Sequence, residues 1–168
     1  MASLGHVAVG LAAGRLHARR DPALRAMLGF SALSLLPDLD VIGFAFGVPY
    51  GAPLGHRGAS HSLLVALLLG ALCVPLARAP AERLRLGVIA FGVAASHGLL
   101  DTLTDGGLGA ALLWPFSDAR LFAPVRPIPV APIGAGMLSA RGLYVLAVEA
   151  IAFAPLWLYG LWPRPARE

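Results

Sequence analysis

The residues able to do chemistry in this chain are histidines and aspartates set in or beside apolar runs. His97 and Asp101 stand four apart in Ser96-His97-Gly98-Leu99-Leu100-Asp101. On a helix that spacing puts both on one face, where an imidazole nitrogen and a carboxylate oxygen can share an ion. Asp38 and Asp40 follow a proline in Leu36-Pro37-Asp38-Leu39-Asp40, and His6 lies near the start of the first apolar run. His56 and His61 bracket Arg57-Gly58-Ala59-Ser60. Five residues is not one helical face, so this spacing suits a loop feeding a helix, with His61 at its start and His56 folded back. The metal candidates are therefore His6, Asp38, Asp40, His56, His61, His97 and Asp101. Imidazole and carboxylate without thiolate suit Zn²⁺, and Mn²⁺ or Fe²⁺ as well. The surplus of donors admits one or two ions, or leaves Asp40 free to act as a general base. Arg57 offers a fixed cation whose fork fits phosphate. Plainer readings compete: a lone His97–Asp101 hydrogen bond, carboxylates that cap or pair with arginine, and a polar loop capped by Ser60 or Ser62.

The elements that position these groups belong to lipid. The 168 residues are 58% hydrophobic and only 13% charged, against about 45–50% and about 25% in soluble domains. A charged side chain at mid-bilayer costs about 2.5–3.5 kcal/mol on insertion scales, so carboxylates there point to function. The pattern gives one all-α domain over 1–168, a polytopic bundle of four to five segments: 4–16, 26–47, 62–77, 86–103 and 143–162. Pro37 breaks the second segment and predicts a cavity at Asp38 and Asp40, because irregular backbone at membrane depth needs protein or water around it. Residues 105–140, rich in proline and glycine, form a long loop with a short interfacial helix, anchored by Trp114. Asp105, beside Gly106 and Gly107, reads as a turn residue. Asp118 reads as a turn cap, and Glu149 as a partner for Arg141 or another helix.

Every basic residue is arginine. If all five segments cross, Arg15, Arg19, Arg20, Arg25, Arg78, Arg83, Arg85, Arg164 and Arg167 share one side, while Arg57, Arg120, Arg126 and Arg141 face the other. The positive-inside rule then puts the N-terminus, the long loop and all seven metal candidates toward the non-cytoplasmic face. Clusters between apolar runs are what orientation requires, so the net charge of +4 does not point to nucleic acid. The lone Cys73 excludes an internal disulfide and a cysteine metal cluster. The first segment lacks the basic start of a signal peptide and reads as retained.

Gly5-His6, Leu36-Pro37-Asp38-Leu39-Asp40, His56-Arg57-Gly58-Ala59-Ser60-His61-Ser62, Ser96-His97 through Asp101, and Leu113-Trp114-Pro115-Phe116 together resemble the YdjM-type membrane-bound metal-dependent hydrolases of the bacterial inner membrane. That family is distantly similar to zinc-dependent phospholipase C. The resemblance implies a phosphoester substrate, which includes phospholipid, and the order His6, Asp38 or Asp40, His56 or His61, then His97 with Asp101 as ligands. No histidine follows His97, so the later ligands of the soluble enzymes are missing and one or two ions are expected. Two other functions remain in play: a metal or proton transporter relaying through the same groups, and a structural protein stapled by metal.

Overall fold

A computed structural model describes residues 1, 3–18, 23–77 and 79–163. Arg19, Arg20, Asp21, Pro22, Arg78, Arg164 and Arg167 lie outside the described residues. Among the described residues six α-helices follow one another: α1 (Ser3–His17), α2 (Leu24–Leu35), α3 (Leu63–Cys73), α4 (Pro80–Asp101), α5 (Ala140–Ala152) and α6 (Ala154–Leu161). Among the described residues the chain is all-helical apart from loops and two isolated bridges, Thr104 with Ile128 and Ala110 with Leu121.

Leu24–Phe46 and Pro80–Asp101, with 23 and 22 residues, are long and apolar enough to cross a bilayer, and α5 with α6 makes a third candidate. Pro37 does interrupt the second segment, but the chain keeps winding. Residues Leu36–Phe46 continue as a 3₁₀ helix that ends on Gly47 in the left-handed conformation.

Two features differ from expectation. α4 begins at Pro80, not at 86, because proline is pre-organised for a first helical turn and Glu82 sits well there beside the helix dipole. The last segment is two helices bent by 66°. Pro155 causes the bend, since it has no N–H and its ring crowds the preceding turn. The long loop does carry a short helix, the 3₁₀ turn Gly134–Leu138.

Packing follows the rules of helices in lipid. α1 lies along α2 with Gly10 and Gly14 against the backbone of Ser31 and Met27, where any β-carbon would collide. Phe30 and Leu33 of α2 meet Ala90 and Val93 of α4 in the largest buried apolar cluster. Large apolar side chains such as Leu72, Leu76, Leu84 and Ile151 point outward, while His6, His61, His97, Asp101, Arg57 and Glu149 point in. That inversion of the soluble pattern is what a hydrocarbon solvent selects.

Candidate metal centre

The helices run alternately, so the start of α1, the 3₁₀ turns after α2, the entry to α3 and the end of α4 meet at one end of the bundle. All seven sequence candidates, together with Arg57, gather there.

α4 supplies two of them, as the four-residue spacing required. His97 and Asp101 are both buried, with His97 Nε2 3.9 Å from Asp101 Oδ2. The other ring nitrogen of His97, Nδ1, donates to the carbonyl of Ser34 at 2.6 Å. This oxygen is available for a local reason. At the 3₁₀ spacing its partner would be the N–H of residue 37, and proline has none. The same proline that changes the helix thus frees the acceptor that orients the His97 ring and turns Nε2 toward the site.

His61 is held the same way by different groups. Its Nδ1 faces Ser60 Oγ at 2.9 Å and Asp40 Oδ2 at 3.2 Å, and Ser60 Oγ donates to Asp40 at 2.6 Å. The Nε2 of His61 is again left to face the site. Asp40 also accepts from His56 Nδ1 at 2.7 Å and from the Arg57 backbone N–H at 3.1 Å. One carboxylate therefore shapes the entire 56–61 loop. Ser62, not Ser60, caps α3 by accepting from the Val65 N–H. Gly98 completes the approach, because a β-carbon there would stand 2.3 Å from the His61 carbonyl. Only glycine lets this loop rest directly on α4.

The result is a compact donor set. His61 Nε2 and His97 Nε2 lie 3.1 Å apart. Asp38 Oδ1 is 3.3 Å from His97 Nε2 and 3.7 Å from His61 Nε2. Asp101 Oδ2 is 3.3 Å from His61 Nε2. Ligands about 2.0–2.1 Å from a tetrahedral Zn²⁺ stand about 3.3 Å from one another, so these separations fit one small divalent cation. A second group of donors, Asp40, His56 and His61, shares His61 with the first.

The electrostatics agree. Burial alone would lower the His61 imidazole, but hydrogen bonds to Asp101, Asp38 and Asp40 outweigh it and push the pKa up to about 10. The field that holds a proton there would hold a metal cation.

His6 gives an independent sign. It is fully buried and stacked on His97, with ring centroids 3.7 Å apart. Its Nε2 is 3.8 Å from Asp101 Oδ1, and neither ring nitrogen has a hydrogen-bond partner among the described residues. Buried polar atoms are nearly always paired, and an orphan calls for a ligand.

Arg57 adopts a left-handed φ of 62°, uncommon outside glycine. Its guanidinium is buried against Asp101, with Nε 3.2 Å from Oδ2 and Nη2 3.4 Å from Oδ1. Nη1 donates to Thr104 Oγ1 at 2.8 Å, and Thr104 donates in turn to the Asp101 carbonyl. The Met1 amine also lies against Asp101. Most of the Arg57 fork is thus engaged with the chain itself.

The chain belongs to the YdjM inner membrane protein family. The family model matches residues 1–164. Inner membrane protein YbcI of Escherichia coli (strain K12) is 36% identical over 158 residues, which is 93% of this chain and 90% of that protein. No solved structure matches.

In this YdjM-family chain a cavity of about 280 Å³ reaches the donor set at Asp38. Asp38, Tyr50, His56 and Arg57 line its polar side, and Val41 with residues 130–134 and Met137 its apolar side. Several groups that build the centre are silent in the sequence. The Ser34 carbonyl is backbone. Thr104 carries only its position, three residues past Asp101. Arg120 donates to the carbonyls of His56 at 3.0 Å and Ala52 at 2.8 Å, clamping the loop from outside. Asp105 lies in a bend and ties two parts of the loop together, accepting from the Val130 N–H at 2.7 Å, and pairs at 3.9 Å with Arg141. Asp118 is exposed, and Trp114 is half-buried between exposed Leu113 and Phe116.

Proposed function

We propose that this YdjM-family chain is a membrane-bound metal-dependent hydrolase acting on a phosphoester, with Zn²⁺ the ion best suited to its donors. The observation that carries the reading is the four-donor set of Asp38, His61, His97 and Asp101, buried except for Asp38, which lines a cavity. When bound, such an ion would activate water as a nucleophile near neutral pH.

The chain's own residues have separate parts in this reading. Asp38 is the donor that faces the cavity, with 26% of its side chain exposed while His61, His97 and Asp101 are buried. It is the side on which a water or substrate oxygen can join. Asp40 orients His56 and His61 in the way outer carboxylates orient ligating histidines. His56, on the cavity wall, is within reach of Asp40 and faces incoming substrate. Arg57 fixes Asp101 and supplies positive charge at the cavity edge. His6 is a further ligand candidate beside Asp101.

A lipid phosphoester suits the cavity best. Asp38 and Val41 of its lining belong to a candidate membrane span, and residues 130–134 add an apolar stretch. A lining that joins polar groups to an apolar stretch fits an amphiphile. The arginine distribution supports a site on the non-cytoplasmic side of the inner membrane.

A structural ion is the second reading. Four protein donors complete a tetrahedron, and closed sites are structural whereas catalytic ones keep a position open. The deciding experiment is turnover of soluble and lipid phosphoesters by detergent-purified protein loaded with Zn²⁺ or Mn²⁺, next to Asp101→Ala. Metal-dependent cleavage lost in Asp101→Ala supports the hydrolase. No cleavage at full metal occupancy, with unfolding on chelation, would leave the structural ion. Metal flux into proteoliposomes abolished by His97→Ala would instead make the chain a transporter.

A further inference from the structure

The last membrane segment carries none of the motif residues, yet it places a fully buried carboxylate, Glu149, close to the metal centre. Carboxylates in an apolar segment are costly unless a partner holds them. Glu149 Oε2 accepts the backbone N–H of Gly5 at 3.1 Å. Gly5 is in the first turn of α1, where N–H groups have no partner within the helix and negative charge is favoured.

The contact is tight for a second reason. A β-carbon on Gly5 would stand 2.6 Å from the Phe153 ring. The Phe153 N–H bonds to the Glu149 carbonyl at 2.9 Å, so the carboxylate and the ring dock as one turn of α5. His6 is the next residue. Neither of its ring nitrogens is hydrogen-bonded among the described residues, and Nε2 is 3.8 Å from Asp101 Oδ1, so the backbone of α1 and the stack on His97 do most to set its direction.

We propose that Glu149 is a positioning residue for the metal centre: reaching from α5, it fixes the first turn of α1 and so aims His6 at the ion. The Gly5-His6 pair is then one device, glycine admitting the last segment and histidine receiving its orientation. The proposal rests on the metal reading above.

Co²⁺ is the probe, titrated into the full chain in detergent and followed by its visible absorption, with melting temperature recorded alongside. Glu149→Leu removes the cap while keeping bulk, and because it leaves the buried Gly5 N–H without its acceptor, the melting temperature separates a folding loss from a binding loss. It should weaken Co²⁺ about 10–100-fold, the usual effect of losing a group that orients a ligand. Its absorption should shift as in His6→Ala, and the double variant should bind no more weakly than His6→Ala alone. Glu149→Gln, which keeps an acceptor oxygen, should restore the wild-type spectrum. Wild-type affinity and spectrum in Glu149→Leu, whatever its melting temperature, overturn the proposal. So does a double variant in which the two losses multiply. A wild-type chain that takes up no Co²⁺ removes the metal reading itself, and the two failures are told apart by that control.

Discussion

Pro37 and Pro155 each interrupt an apolar helix, and the two interruptions have opposite consequences. At Pro155 the break is mechanical. The Phe153 N–H bonds back to Glu149, the N–H groups of Leu156 and Trp157 close onto the Phe153 carbonyl, and the axis turns by 66°. No candidate ligand depends on that turn directly. At Pro37 the break is chemical. The chain continues as 3₁₀ helix, the Ser34 carbonyl is taken by His97, and Asp38 and Asp40 are delivered to two faces of the same site. What a proline does in such a helix is decided by which group claims the carbonyl it leaves without a donor, and by the residues wound just after it.

The sharpest way to break that comparison is at the receiving end. His97→Ala removes the imidazole that binds the freed carbonyl and a member of the donor set. We expect loss of stoichiometric zinc, measured by elemental analysis of purified protein. Pro37→Ala comes next, since it returns an N–H to the turn that can compete for the Ser34 carbonyl. Zinc affinity should fall about 10–100-fold, read by competition with a chromophoric chelator, while helix content by circular dichroism stays level or rises.

The third test is pH. Below about 10 the His61 imidazole of the metal-free protein holds a proton that metal must displace. Affinity should therefore rise about tenfold per pH unit from neutrality toward pH 10, with close to one proton released per ion. Calorimetry in buffers of different ionisation enthalpy checks the count, and a pH-independent affinity would remove His61 from the ligand set. The smallest effect belongs to Pro155→Ala. It should straighten the last segment yet leave zinc affinity within about twofold, unless straightening pulls Glu149 from Gly5.

Much of this centre was legible because its logic is periodic. His97 and Asp101 share a helix face by spacing alone, and the alternation of apolar segments brings His6, Asp38, Asp40, His56 and His61 to the same end. The plainer reading of Asp40 and Ser60 also has substance, since both act by holding the loop. The illegible part is of two kinds. Backbone atoms, such as the Ser34 carbonyl and the Gly5 N–H, carry no residue signature. Contacts far apart in sequence, such as Glu149 with Gly5 or Arg120 with His56, leave no spacing to read. Arg57 shows the limit of arguing from residue type. Its fork suits a phosphate, but the fold turns most of it toward Asp101, Thr104 and Gly106. Pro155 could have been read as a breaker, and the uninterrupted hydropathy of its segment hid it.

The proline break after α2 also bears on how the chain is made. Asp38 and Asp40 leave the ribosome well before residues 97–101 exist, so during synthesis they reach the bilayer with their α4 partner still unmade. Both half-buried carboxylates then lack the groups that hold them, which only the 56–61 loop and α4 supply. The donor set is therefore complete only when α4 has docked against the second segment.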